Sequence, residues 1–194
     1  MDSFLNTYKR VSKTTVTLPT ERVISYLGLG SSIGDRAAHL RSALQRLNSE
    51  STRVTALSSV YESPHLGLAP GDSERYPPHL NCVAQVETSL SPNDLLDSVL
   101  EIERAGGRER AERWSPRTID IDILLYGAVS ESSPRLTLPH PGIAKRAFVA
   151  LPLAELAPQL TLPSGERLAE TVLSETIQQQ AIRRVAGLAL SLAE

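Results

Sequence analysis

The sequence predicts an α+β fold in which helices cover one face of an antiparallel sheet, in the ferredoxin-like order β-α-β-β-α-β, followed by a C-terminal extension. Two observations predict this fold. Segments typical of strands alternate along the chain with segments of helical spacing, and glycine, proline and capping residues separate them. The 194-residue chain is also long enough for one domain with a substantial core but short for two.

The first half of the pattern is a strand, a helix and a second strand. Val23–Leu29 is an apolar run closed by glycines, which predicts the first strand. Asp35 is placed to cap a helix, because apolar residues recur at helical spacing between Leu40 and Leu47. Residues 53–61 are rich in strand-forming residues and predict the second strand.

The second half repeats the pattern in the order strand, helix, strand. A Pro/Gly-rich loop at residues 64–78 leads into an alternating strand at residues 80–87. Ser91–Pro92 begins a helix, with serine as the cap and proline in the first turn, and Gly106–Gly107 ends it. After an arginine-rich loop, residues 118–126 predict the fourth strand.

The two ends of the chain complete the prediction. We expect a short strand at residues 136–138, a helix at about 143–156 and a final helix at 166–180. Residues 1–22 are rich in Ser and Thr and are predicted to be a flexible N-terminal extension. Residues 23–194 are predicted to form one domain.

Composition excludes several classes of function. The net charge of −2 gives no basic surface for broad nucleic-acid binding. The single cysteine, Cys82, cannot form an internal disulfide, and the four histidines do not have zinc-ligand spacing. No apolar run approaches the roughly 20 residues of a membrane helix. We therefore expect a cytoplasmic protein, monomeric or weakly self-associating, without a membrane or nucleic-acid partner.

The segment from residue 108 to residue 125 carries the clearest chemical signal, an arginine-rich loop that runs into a strand with two acids. Asp120 and Asp122 lie two residues apart, so both carboxylates project from one face and the intervening isoleucines from the other. Magnesium takes one or two carboxylates plus substrate phosphates, and arginines bind phosphate oxygens. The arginines are Arg108, Arg110, Arg113 and Arg117.

Each signal is weak by itself. Two acids on a strand are more typical of a solvated face. The glycines at 28, 30 and 34 lack the third glycine of a dinucleotide fingerprint, and no Gly-Lys-Ser/Thr follows them. The acid pair and the glycine turn become more specific signals when they are considered together with the other sequence blocks of the chain.

R-W-S-P-R-T-I-D-I-D-I-L-L, at residues 113–125, resembles the signature of the 6-hydroxymethyl-7,8-dihydropterin pyrophosphokinase family. The resemblance extends from Tyr26 to about Gly165, and four blocks in order are more specific than any one. The other blocks are Gly28–Arg36, Val60–Gly67 with Leu80–Asn81, and Leu138–Phe148.

The resemblance implies transfer of pyrophosphate from ATP to a pterin alcohol, with two Mg²⁺ ions held by Asp120 and Asp122. It implies that Arg108 and Arg110 act catalytically on a loop that closes over the site. The implied ATP-binding residues are Arg110, Trp114, Arg117, Ile123, Arg135, Thr137, His140 and Arg146. The implied pterin-binding residues are Gly30, Ser63, Pro64, Leu66, His79, Asn81, Trp114 and Phe148.

Some residues depart from the family pattern. Ser32 replaces an asparagine, Ser115 a glycine or alanine, and His79 an aromatic residue, while the loop at residues 107–114 is shorter than a common version. These departures motivate an alternative, a non-catalytic nucleotide or pterin binder of the same fold. Both aspartates and His140 are retained, which favours the enzyme. The net charge disfavours a third hypothesis, a metal-dependent nucleic-acid enzyme.

Overall fold

The computed structural model describes residues 21–65, 77–107 and 117–190. The strands are β1 Val23–Ser31, β2 Thr52–Leu57, β3 Tyr61–Ser63, β4 His79–Thr88, β5 Asp120–Tyr126, β6 Glu131–Ser132, β7 Thr137–Leu138 and β8 Arg183–Arg184. The helices are α1 Arg36–Leu47, α2 Pro92–Ala105, α3 Ala147–Leu156, α4 Leu168–Leu173 and α5 Glu175–Gln178. The predicted extension at 1–22 lies almost entirely outside the described residues, so it stays a prediction, as does the single domain at 23–194.

The larger sheet has the strand order β5-β1-β4-β3-β8, and β2 also pairs with β4. Every pairing in it is antiparallel, as predicted. β6 and β7 form a separate two-stranded sheet, which contains the short strand expected near residue 137. Among the described residues, no helix combines the length and apolar character needed to cross a bilayer.

The single strand predicted over residues 53–61 is wrong, because the structure divides it into β2 and β3. The register of β2 on β4 shifts between Val54 and Ala56. Ser58 then donates its main-chain N–H to the carbonyl of Val83, and its hydroxyl accepts the N–H of Val83, both at 2.9 Å. A side-chain oxygen thus replaces a main-chain partner, and regular pairing stops there.

Helices cover both faces of the sheet, which corrects the prediction of one covered face. On the first face, α1 and α2 pack against residues such as Leu27 and Ile121. On the opposite face, α3 packs against Val83 and Leu124. The sequence of α3, A-F-V-A-L-P-L-A-E-L, is apolar on most sides, so its periodicity does not reveal which surface it covers.

The C-terminal third differs most from the prediction. The helix predicted at 143–156 begins only at Ala147. The single helix predicted at 166–180 is wrong: α4 and α5 are separated by Ser174, whose backbone is extended (φ −62°, ψ 146°). The chain then adds β8 to the edge of β3. A two-residue strand is too short to give an alternating pattern, so it was not predicted.

The predicted helix boundaries of α1 and α2 are confirmed by their caps. Asp35 Oδ1 accepts the Ala38 N–H at 2.9 Å, and Ser91 Oγ accepts the Asp94 N–H at 3.2 Å. At the other end of α2, Gly106 donates its N–H to carbonyls of the last turn. These bonds satisfy main-chain groups that a helix end otherwise leaves without partners.

A buried glutamate of α2 holds the edge strand that carries the two aspartates. Glu103 is 2% exposed, and its Oε1 accepts the Ile121 N–H at 2.7 Å. Ile121 lies between Asp120 and Asp122, so this bond fixes the main chain between the two acids. A buried N–H needs such a partner, because leaving it unmade costs free energy.

We predict that Glu103→Leu lowers the free energy of unfolding by about 1–3 kcal/mol, the usual cost of stranding a buried polar group. Glu103→Gln keeps an acceptor oxygen and should lose less. Urea unfolding followed by circular dichroism measures both values. A leucine variant as stable as the parent protein would contradict the role given to this bond.

Candidate active site

The site lies on the sheet face that α3 covers only in part. Gly30, near the end of β1, pairs with Asp120 of β5 on one side and Asn81 of β4 on the other. Asp122 pairs with Gly28 in the same way. Paired residues on neighbouring strands point to the same face of the sheet. The Asp120 and Asp122 carboxylates therefore lie on one side of the glycines of β1, and the Asn81 amide lies on the other side.

The two glycines allow neighbouring side chains to approach the central strand closely. A Cβ at Gly30 would lie 3.2 Å from Asn81 Oδ1, and one at Gly28 would lie 3.3 Å from Leu124 Cδ2. Both distances are shorter than ordinary van der Waals contact, so a side chain would displace its neighbour. Gly28 and Gly30 have the same two-residue spacing as Asp120 and Asp122, with which they pair. This shared spacing could have pointed to Gly28 from the sequence.

The two aspartates make an acidic pair beside basic groups. Arg117 donates to Asp120 Oδ1 at 2.7 Å, and His140 Nε2 lies 4.0 Å from Asp122 Oδ2. Burial and the neighbouring charge of Asp120 raise the pKa of Asp122, although His140, Arg146 and Arg117 oppose the shift. Within the described ranges, no three or more His, Cys, Asp or Glu side chains converge on a metal position.

His140 is held in one orientation by the chain around it. Its main-chain N–H donates to the carbonyl of Leu124 at 2.9 Å, and its Nδ1 accepts the Gly142 N–H at 3.0 Å. A neutral ring in this position carries its proton on Nε2, the atom that faces Asp122. Burial lowers the pKa of His140, while Asp122 opposes the shift. A Cβ at Gly142 would lie 2.7 Å from Nδ1, so a side chain at this position would displace the His140 ring.

Ser32 joins the glycine turn to the arginine segment. The Arg117 N–H donates to Ser32 Oγ at 3.0 Å, and the Ser32 N–H donates to the Arg117 carbonyl at 3.0 Å. Ser32 therefore links the glycine turn to the start of the arginine-bearing strand segment through its side chain and its main chain. These two bonds hold Arg117 next to β1 and Asp120.

The residues predicted on the pterin side lie beyond Asn81. The Asn81 amide donates to Ser63 Oγ at 3.0 Å, and both residues are buried. Ser63 pairs with His79 across β3 and β4. The rings of His79 and His65 have centroids 5.2 Å apart. The structure thus gathers the predicted polar residues on one side of Gly30.

Phe148 and Arg146 bound the site at the start of α3. The Arg146 guanidinium carbon lies 5.8 Å from the centre of the Phe148 ring, within the range of a cation–π contact. Phe148 is partly buried and packs against the second core cluster. The ring therefore contacts the core and the Arg146 side chain, and it is not fully buried.

The residues predicted on the adenosine side are not gathered on this face. Ile123 is 3% exposed and belongs to the first core cluster, so a contact with ATP would have to use its main chain. Arg135 donates to Asp97 of α2 at 2.6 Å, and Thr137 is exposed in β7. Their binding roles stay predictions.

Some predicted residues lie outside the described residues, and their roles also stay predictions. They are Arg108, Arg110, Trp114 and Leu66. Of the described residues near the site, sequence reasoning missed Glu103, Arg36 and Glu62, because their partners are distant in sequence. Pro64, which was predicted, is exposed directly after β3.

Residues 26–158 match the model of the family described as 7,8-dihydro-6-hydroxymethylpterin-pyrophosphokinase. The chain is 44% identical over 149 residues to the 2-amino-4-hydroxy-6-hydroxymethyldihydropteridine pyrophosphokinase of Methylorubrum extorquens, covering 76% of this chain and 90% of that protein. It is 44% identical over 146 residues to the protein of the same name from Pseudomonas aeruginosa, covering 75% and 87%.

Solved structures share the fold. A crystal structure of Plasmodium falciparum HPPK-DHPS superimposes with a TM-score of 0.64 at 13% identity, over 85% of this chain and 49% of that chain. A second HPPK-DHPS structure, in complex with substrates, gives a TM-score of 0.58 at 14% identity, over 77% and 44%. The chain thus spans about half of these longer proteins, and the likeness concerns the fold alone.

Burial and the neighbouring His65 lower the pKa of His79 to about 4. We therefore predict that the ring is neutral at pH 7, with an NMR titration midpoint near 4. Between pH 6.5 and 4 the unfolded chain binds this proton and the folded chain does not, so this group destabilises the fold as pH falls. A His79→Asn variant assigns the signal. A midpoint above 6 would contradict the burial of the ring.

Proposed function

The chain belongs to the 7,8-dihydro-6-hydroxymethylpterin-pyrophosphokinase family and transfers pyrophosphate from ATP to hydroxymethyldihydropterin in folate synthesis, and we propose that Asp120 and Asp122 hold the magnesium ions of this reaction. The observation that carries the proposal is the pairing of Gly30 with both Asp120 and Asn81. Neighbouring strands lie about 4.8 Å apart, so roughly 10 Å separates the acidic strand from the strand of the pterin side.

The residues fit magnesium. Carboxylate oxygens are the hard ligands that Mg²⁺ prefers, and one or two of them suffice when phosphates and water complete the shell. The raised pKa of Asp122 supports the fit, because a divalent cation would relieve the repulsion between the two acids. When bound, two Mg²⁺ ions would neutralise the phosphate oxygens of the co-substrate ATP and align them for displacement.

The chain's own groups would bind and orient the two substrates. Arg117, His140 and Arg146 lie on the acidic side, where their N–H groups can bind the triphosphate. Arg108 and Arg110 are proposed to close over the β-phosphate, with Trp114 between the two substrates. The adenosine contacts are proposed for Ile123, Arg135 and Thr137.

On the pterin side, Asn81 is proposed to bind the polar edge of the ring, because its amide lies beside Gly30. Phe148 and the neutral His79 would form flat walls, and Ser63, Pro64 and Leu66 would bound the slot. The hydroxymethyl oxygen then attacks the β-phosphorus, and the bond to the oxygen bridging the α- and β-phosphates breaks. The products are AMP and the pterin diphosphate.

We also infer a ferredoxin-like arrangement of the four longest strands. The neighbour order β5-β1-β4-β2, with helices α1 and α2 in the crossovers, supports it. We propose a monomer or weak homo-oligomer in the cytoplasm.

The proposed metal dependence is tested by assaying AMP and pterin diphosphate with ATP, the hydroxymethyl dihydropterin and either Mg²⁺ or a chelator. We expect both products in equal amounts with Mg²⁺ and none with the chelator. ATP binding in calorimetry without AMP formation would identify a non-catalytic relative. Equal turnover in chelator would contradict the proposed metal site.

We predict that Asp122→Asn lowers kcat by roughly a hundredfold or more, because an amide is a poor magnesium ligand and the charge is lost. The variant should keep the parent circular dichroism spectrum. Asp94→Asn, at an exposed position of α2, is the matched control and should retain normal kcat. An Asp122→Asn enzyme with full activity would remove this residue from the metal site.

A further inference from the structure

Three charged side chains join distant parts of the chain next to the pterin side of the site. Arg36 is the first residue of α1, Glu62 lies in the middle of β3, and Arg183 begins β8. We call these three residues the stem clamp. Ser63, which follows Glu62, and His79, which follows the Pro78 carbonyl that Arg36 binds, are among the residues proposed to bind the pterin.

Arg36 ties two separate segments together. Its NH1 donates to Glu62 Oε1 at 3.1 Å and to the main-chain carbonyl of Pro78 at 2.6 Å. Glu62 directly precedes Ser63, and Pro78 directly precedes His79. One guanidinium therefore sets the spacing between the end of β3 and the start of β4.

Arg183 holds the same carboxylate from the other side. Its Nε donates to Glu62 Oε2 at 2.9 Å, and its NH2 also contacts that oxygen. β8 pairs with β3, and the Val185 N–H donates to the carbonyl of Val60 at 2.8 Å. The C-terminal segment thus adds a strand to the outer edge of β3.

The two arginines of the stem clamp stabilise the ionised form of Glu62. Burial alone would raise the pKa of Glu62, but the hydrogen bonds and charges of Arg183 and Arg36 lower it. The Glu62 side chain is 14% exposed, whereas Arg183 is largely exposed. An ion pair with a shielded carboxylate and several hydrogen bonds restricts geometry more than an isolated surface pair does.

We propose that Arg36 and Arg183 are positioning residues for the pterin: by holding Glu62 between them, they fix Ser63 and His79 at the spacing that pterin binding needs. This inference rests on the proposed function of the same site. Arg183 lies beyond residues 26–158, which match the family model, so the family motif does not include it.

Steady-state kinetics of Arg36→Met and Arg183→Met test the inference. We expect the KM for the pterin to rise about fivefold in each variant, with kcat and the KM for ATP within about twofold of the parent values. A residue that only stabilised the fold would not separate the two substrates. Arg36→Lys keeps the charge but not the planar fork, so it should give an intermediate KM.

A double-mutant cycle adds a second readout. If Arg36 acts through Glu62, the effects of Arg36→Met and Glu62→Gln on pterin KM should be less than additive in the double variant. Arg167→Met is the matched control, because Arg167 forms an exposed pair with Glu170 on α4. Its pterin KM should equal that of the parent.

The outcomes are distinguishable. A parent protein without turnover would overturn the function and the stem clamp together. Normal parent turnover with unchanged pterin KM in Arg36→Met and Arg183→Met would overturn the stem clamp alone. Equal losses for both substrates in Arg36→Met and Arg36→Lys would also overturn it, since they would indicate a general structural effect.

Discussion

The site depends on one steric constraint, the absence of side chains on the open face of the central strand. Gly30 stands between Asp120 and Asn81, and Gly28 stands beside Asp122. Any Cβ at Gly30 would press on the Asn81 amide at 3.2 Å. The same face further along is closed by α3, so the two glycines and the start of α3 together define where a ligand can lie.

Electrostatics follow from that geometry. The sheet brings two carboxylates to one face, and burial with mutual repulsion raises the pKa of Asp122. The structure tolerates this repulsion because Glu103 fixes the main chain between the acids and Arg117 pairs with Asp120. We regard this as preorganisation: the two carboxylates are held on one face before any ligand binds, as the proposed metal site requires.

Features set by local sequence were predictable, and features set by distant contacts were not. The caps at Asp35 and Ser91 and the alternation in β5 depend on neighbours within a few residues. The break at Ser58 depends on Val83, 25 positions away, and the stem clamp joins residues 121 positions apart. The coverage of the second face of the sheet was not predictable, because α3 is apolar on most sides. Such a pattern predicts that the helix is buried but does not identify the surface against which it packs.

The most direct test of the central claim is a crystal structure of the protein with Mg²⁺, a non-reactive ATP analogue and the hydroxymethyl dihydropterin. We expect metal ions about 2.1 Å from carboxylate oxygens of both Asp120 and Asp122, the usual Mg–O distance. We also expect the pterin to lie against Asn81. Metal and triphosphate bound elsewhere, with the two carboxylates facing water, would contradict the proposed metal site.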